Sequence, residues 1–84
     1  MLVLVDPEQA RIWNEVTIPM LDEKLNARIE KHRQLGHTIE LLDVYSTHTA
    51  GGVHDIAYRR ALLLVDGVET RWYYDWNLRN WRKS

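Results

Sequence analysis

The sequence predicts an α+β fold in which a kinked N-terminal helix, or two helices in tandem, packs on one face of a three- to four-stranded antiparallel β-meander. Helical signals run over residues 6–35 of the 84-residue chain. Residues 38–76 then carry runs rich in β-branched, aromatic and leucine side chains, separated by glycine-containing turn signals. The composition is 45% hydrophobic and 27% charged, as in ordinary globular domains, so we expect one domain over residues 1–84.

The helical segment has recognisable ends and one interruption. Asp6 is a suitable N-cap, Pro7 suits the first helical position, and Gly36 suits the position just after the helix. Pro19 falls inside, where it removes a backbone hydrogen bond and clashes with the preceding turn. A bend between residues 17 and 20 would turn two apolar stripes toward one core. These stripes are Ile12, Trp13, Val16 and Met20, and Ile18, Leu21, Leu25 and Ile29.

The two ends of the chain leave alternatives open. Residues 1–5, MLVLV, are expected to form a short buried strand or an apolar arm, and they are too few for a signal peptide or a membrane span. The tail, residues 77–84, is basic and contains Trp81. We expect Leu78 and Trp81 to pack on the core as one helical turn, with a mobile basic arm as the alternative.

Two glycine-containing bends set the predicted strand register. Asp66-Gly67 is typical of a two-residue hairpin loop, and Gly51-Gly52 is a weaker example. Such loops place Val65 opposite Val68 and Ala50 opposite Val53. Arg59 then faces the helix at its margin, with its guanidinium reaching water. The other residues predicted on this helix-facing side are Leu42, Val44, Ala57, Ala61, Leu63, Val65, Val68, Trp72, Tyr74 and Trp76.

The same register places tyrosine and arginine side chains on the face away from the helix. One predicted row contains Asp43, Arg60 and Tyr73, in which Asp43 holds Arg60 in place. Tyr and Arg dominate the energetics of protein interfaces, and contiguous apolar surface usually marks one. We therefore expect a partner-binding surface formed by Asp43, Tyr45, Tyr58, Arg60, Leu62, Arg71 and Tyr73.

Catalytic and metal-binding signals are weak. His48 and Asp55 face each other in this register and are the one candidate acid–base pair, although a structural cross-strand pair is the simpler interpretation. The chain has no cysteine, and His48 and His54 fall on opposite predicted faces, so no metal site is expected. Serine-nucleophile, HExxH and complete phosphate-loop motifs are absent from the sequence. We expect no cofactor and no enzymatic activity.

The expected function is protein binding of the inhibitor or adaptor type. Small cysteine-free domains without a catalytic motif include many such proteins, among them phage-encoded blockers of a host enzyme or defence complex. Self-association would use the same face. One alternative is a single-stranded nucleic-acid-binding module with Arg60, Arg71, Arg79 and Arg82 at phosphates, which the net charge of −1 disfavours. Another is a small enzyme using His48 and Asp55. We expect a cytoplasmic location and no membrane partner.

Overall fold

The fold is one helix packed on a four-stranded antiparallel sheet, which confirms the predicted α+β class. The computed structural model describes residues 7–51 and 54–84, without side chains for residues 48–57. The helix consists of α1 (Pro7–Ile12), a π-helical turn (Trp13–Thr17) and α2 (Ile18–Gln34). The strands are β1 (Ile39–Gly51), β2 (His54–Val65), β3 (Val68–Asp75) and β4 (Asn80–Lys83), in the order β1-β2-β3-β4. The strand or arm predicted for residues 1–5 and the Asp6 cap lie outside the described residues.

The π-helical turn lies where the sequence predicts a kink. The Ile18 N–H bonds to the Trp13 carbonyl, five residues earlier, just before Pro19. Trp13 and Ile29 would lie about 160° apart around a regular α-helix. The π-helical turn has more residues per turn than an α-helix, so it reduces this angle. One buried row results, formed by Trp13, Thr17, Leu21, Leu25 and Ile29. Val16 and Met20, predicted on a packed stripe, are exposed, so that part of the prediction is wrong.

The helix ends at the predicted glycine. Gly36 has a φ of 97°, in the left-handed region. Its N–H donates to the Arg33 carbonyl at 3.0 Å, and the His37 N–H donates to the His32 carbonyl at 3.1 Å. This is the Schellman pattern of a helix C-terminus. Arg33 also donates through Nη2 to the Ile39 carbonyl at 2.8 Å, which ties the helix end to the start of β1.

The Asp66-Gly67 bend forms as predicted, with Val65 opposite Val68. Both bend residues have positive φ, 52° and 81°, as a type I′ turn requires. Asp66 also ties this bend to the segment before β1. Its carboxylate accepts the Thr38 N–H at 2.8 Å and contacts His37 Nδ1 at 2.8 Å. The Asp66 N–H donates to the Thr38 carbonyl at 2.8 Å.

The Asp66 carboxylate should make stability depend on pH. Hydrogen bonds from the Thr38 amide and the His37 side chain hold the pKa of Asp66 below its ordinary value. A lowered pKa in the folded state stabilises the fold while the carboxyl is ionised, and that contribution is lost as the pH falls below about 4. We expect Asp66→Asn, which keeps a pair suited to the turn, to melt below the wild type at neutral pH. The difference in melting temperature should shrink on acidification, and a difference independent of pH would contradict this assignment.

β1 and β2 pair in a register that differs from the predicted one. Gly51 pairs with His54 and Ala50 pairs with Asp55, so the predicted pairing of Ala50 with Val53 is wrong. The partners of residues 43–51 are therefore offset by two residues from the prediction. Because side chains alternate with a period of two, this offset keeps residues 43–47 on their predicted faces and changes only their partners.

A bulge interrupts β1 between Leu41 and Asp43. Leu42, which the sequence predicts on the helix-facing side, has no partner in the pairing, and Leu41 lies opposite Leu63 instead. The extra residue shifts the register so that Ile39 lies opposite Val65 and is buried in the core. Leu42 itself is exposed, so its predicted place in the core is wrong.

Arg59 lies on the helix-facing side, as predicted, but it pairs with a carboxylate of the helix. Its Nε donates to Asp22 Oδ1 at 3.0 Å and its Nη2 to Asp22 Oδ2 at 2.9 Å. Its Nη1 donates to Ser46 Oγ at 3.0 Å. Only 13% of the Arg59 side chain is exposed. The guanidinium was expected to reach water. It pairs with the Asp22 carboxylate of α2 instead, so that expectation is wrong.

The C-terminal tail forms the fourth strand rather than a helical turn or a mobile arm. β4 pairs with β3 and places Trp81 opposite Tyr74. Trp81 is packed, as expected, and is only 1% exposed, but Leu78 is 60% exposed. The Trp81 Nε1 donates to the Leu21 carbonyl at 2.8 Å. The tail thus closes the core between α2 and the edge of the sheet.

Candidate functional site

The sheet face away from the helix is the candidate site, and we call it the outer face. The helix packs on the opposite face, where Ala61, Leu63, Trp72 and Tyr74 are buried. No other element in residues 7–51 and 54–84 packs on the outer face. Alternation along the strands brings aromatic and arginine side chains to it. Within the described residues, no element supplies the layer that would cover this face in a two-sided core.

Four side chains form the central cross-strand row of the outer face. Tyr45 lies opposite Arg60, Arg60 opposite Tyr73, and Tyr73 opposite Arg82. In the neighbouring row Leu62 lies between Asp43 and Arg71. All seven residues predicted for the surface share this face, but the predicted row of Asp43, Arg60 and Tyr73 is wrong. The two-residue offset of β1 brings Tyr45 opposite Arg60 and moves Asp43 opposite Leu62.

Neutral groups, rather than Asp43, position Arg60. Its Nε donates to Thr47 Oγ1 at 3.1 Å, and its guanidinium carbon lies 5.9 Å from the centre of the Tyr58 ring. No carboxylate among the described residues pairs with Arg60. A hydroxyl and an aromatic ring orient the guanidinium without neutralising it. Arg60 therefore lies in the middle of an aromatic surface without a carboxylate partner among the side chains that the structure describes.

Arg82 joins the row because the tail forms a strand. Its guanidinium lies 6.0 Å from the centre of the Tyr73 ring, and its Nη1 lies 3.3 Å from Asp75 Oδ2. Asp75 Oδ1 accepts the N–H groups of Asn77 at 2.9 Å and Leu78 at 3.2 Å, which fixes the turn before β4. Burial raises the pKa of Asp75, but these amide bonds and Arg82 together bring it below its ordinary value. The anchored carboxylate thus holds Arg82 beside Tyr73.

The structure separates the residues of the two alternative functions. His48 pairs with Ala57 and Asp55 with Ala50, so the predicted pairing of His48 with Asp55 is wrong. Arg79 lies on the helix side of the sheet, beside α2, whereas Arg60 and Arg82 lie in the outer-face row. The four arginines considered for phosphate binding therefore do not form one surface.

No helix of the described residues is long and apolar enough to cross a membrane.

The outer face suits recognition by contact. It offers half-buried tyrosine rings, an apolar Leu62 side chain and an oriented guanidinium, which are the residue types enriched in protein interfaces. Comparison of the chain with protein-family models, curated proteins and solved structures gives no match. The chemistry of the chain's own residues is therefore the basis for assigning a function.

Proposed function

We propose that the chain is a non-enzymatic protein-binding domain that uses its outer face. One observation carries the proposal: the row of Tyr45, Arg60, Tyr73 and Arg82 lies on a sheet face that no other described element covers. Such a face is the natural place for a second protein, which would supply the missing layer. An inhibitor or adaptor acting in the cytoplasm, including a phage-encoded blocker, is the kind of protein that this proposal describes.

The row has the properties of an interface centre. Tyrosine contributes a large, rigid contact area at a low cost in side-chain entropy, and arginine adds planar hydrogen-bond donors. Arg60 has no carboxylate partner within the described residues, so a carboxylate of the partner can pair with it. Thr47 and Tyr58 hold the guanidinium in advance, which reduces the ordering cost on binding. The partner surface is therefore expected to be flat and apolar, with at least one acidic side chain near its centre.

The test removes the centre of the row without disturbing the core. We expect Tyr58→Ala with Arg60→Ala to abolish capture of the protein partner by the tagged chain in affinity purification followed by mass spectrometry. The unfolding free energy should change by about 1 kcal/mol or less, because cross-strand surface pairs contribute only that much. Arg11→Ala with Val16→Ala is the matched control, since it removes one arginine and one apolar side chain from the exposed helix surface.

The proposal fails if the control and the outer-face double variant retain the same set of proteins. It also fails if wild-type chain captures no protein that the double variant loses. Light scattering of the purified chain tests whether the partner is a second copy. A dimer that Tyr58→Ala with Arg60→Ala converts to a monomer would assign the outer face to self-association.

A further inference from the structure

A basic groove lies between α2 and β4, on the helix side of the sheet. Lys24, Arg28 and Lys31 recur along one side of α2 at spacings of four and three residues, so they form a row about 10 Å long. Arg79, in the turn before β4, lines the same concavity of about 250 Å³, together with Ala27 and Asn80. Cations thus line both sides of the groove, which is separate from the outer face.

The cations of the groove have no carboxylate partner in the part of the chain that the structure describes. Within the described residues, no ion pair involves any of them, and Lys24 instead donates to the Arg79 carbonyl at 3.2 Å. Elsewhere, five arginines each meet an Asp or Glu: Arg11, Arg33, Arg59, Arg71 and Arg82. The small net charge of −1 therefore conceals a segregated charge distribution. Such a local field attracts anions although the whole chain does not.

A second concavity of about 390 Å³ continues the groove beyond Arg28. Among the described residues, its lining includes Val68, Trp72 and Lys83, but no carboxylate. The His32 ring also lines it and lies 5.2 Å from the Trp72 ring, centre to centre. Burial, together with the charges of Arg28, His37 and Lys31, lowers the pKa of His32, so this ring is neutral at neutral pH. The second concavity therefore combines aromatic and methyl surface with cations at either end of the groove.

We propose that this groove binds single-stranded nucleic acid. Lys24, Arg28, Lys31 and Arg79 contact successive phosphates, and Lys83 contacts a phosphate farther along. The second concavity accepts one base against His32 and the neighbouring valines. This arrangement, a positively charged track beside an aromatic surface, is how proteins bind single strands without reading sequence.

The second concavity distinguishes this ligand from other polyanions. A duplex keeps its bases stacked inside the helix and offers none to a side cavity. The carboxylate side chains of an acidic peptide match the cations, but they supply no flat ring to fill a space bounded by His32, Val65 and Val68. A single strand supplies both regularly spaced charge and unstacked bases. The geometry therefore favours a single strand over either of these.

The test measures binding of a fluorescent oligothymidylate of about twelve nucleotides by anisotropy over a range of salt concentrations. With five phosphate contacts, a plot of the logarithm of the association constant against the logarithm of the salt concentration should have a slope of about −3.5. Arg28→Gln with Lys31→Gln should weaken binding at least about tenfold at low salt and make the slope shallower by about 1.4. Arg11→Gln with Asn14→Glu is the control, because it changes the net charge by the same two units at two exposed helix residues that do not line the groove.

The control should bind within about twofold of the wild type. Equal losses in the two double variants would overturn the proposal, since they would show a response to net charge alone. Undetectable binding of the wild type at about 50 mM salt would also overturn it. Tighter binding of a polyglutamate peptide of similar length would assign the groove to acidic proteins instead. Circular dichroism spectra that match the wild type exclude unfolding as the cause of a loss.

Discussion

Replacing Trp81 with alanine should lower the unfolding free energy by about 3–5 kcal/mol, the usual cost of deleting a fully buried tryptophan side chain. The side chain is only 1% exposed and joins α2 to the sheet through its hydrogen bond to the Leu21 carbonyl. Its ring also meets the Tyr74 ring edge to face, with centres 6.0 Å apart. Small domains have total stabilities of about 5–15 kcal/mol. If the total is about 5 kcal/mol, a loss of this size leaves only about 0–2 kcal/mol, and between about 3% and half of the chains would be unfolded at room temperature.

Urea denaturation of three variants separates the contributions at this end of the sheet. Trp81→Phe should lose less than Trp81→Ala, because it keeps most of the buried ring but not the Nε1 donor. Leu78→Ala, three residues away and 60% exposed, should stay within about 0.5 kcal/mol of the wild type. If Trp81→Ala and Leu78→Ala unfold at the same urea concentration, β4 is not part of the core.

Local signals explain why one bend was predictable and the other was not. The type I′ turn requires positive φ at both of its central positions, and Asp66-Gly67 is one of the few residue pairs that tolerate it. This pair therefore identifies the position of the loop in the sequence. At the first bend, Gly51 and Gly52 both permit unusual backbone angles, and the loop can shift by one residue. Such a shift changes the pairing by two residues and leaves every side chain on the same face. Hydrophobic alternation therefore placed the seven predicted surface residues on the outer face, but it could not predict which of them lie side by side.

Tertiary contacts explain the remaining errors. β4 has four residues with one buried side chain, too short for a periodic pattern to identify it as a strand. Arg82 was missed from the outer-face row for this reason. The partner of Arg59 lies 37 residues earlier in the chain, and local patterns contain no information about such contacts. The spacing of Lys24, Arg28 and Lys31 in the sequence places them on one side of a helix. Only the structure shows that Arg79 lies on the other side of the groove that they line.

The ion pair between Arg59 and Asp22 should be much stronger than a surface pair of the same length. Nη2 of Arg59 lies 2.9 Å from Asp22, and Nη1 of Arg11 lies 2.9 Å from Glu15. The side chains of the first pair are 13% and 36% exposed, whereas those of the second are 51% and 61% exposed. Water screens the exposed pair, and the Arg59 pair has two parallel hydrogen bonds between guanidinium and carboxylate. The two ion pairs therefore have the same nitrogen–oxygen distance, but the Arg59–Asp22 pair should contribute more to the free energy of unfolding.

We expect Asp22→Ala to lower the unfolding free energy by about 2 kcal/mol, because it leaves a mostly buried guanidinium with only the Ser46 hydroxyl. The measurement is a double-mutant cycle of Asp22→Ala and Arg59→Met by urea denaturation. Methionine keeps much of the arginine stem, and the coupling energy should be about 1–2 kcal/mol. The control is Glu15→Ala, which should cost no more than about 0.5 kcal/mol. Indistinguishable effects of Asp22→Ala and Glu15→Ala would show that this ion pair does not contribute to holding the helix on the sheet.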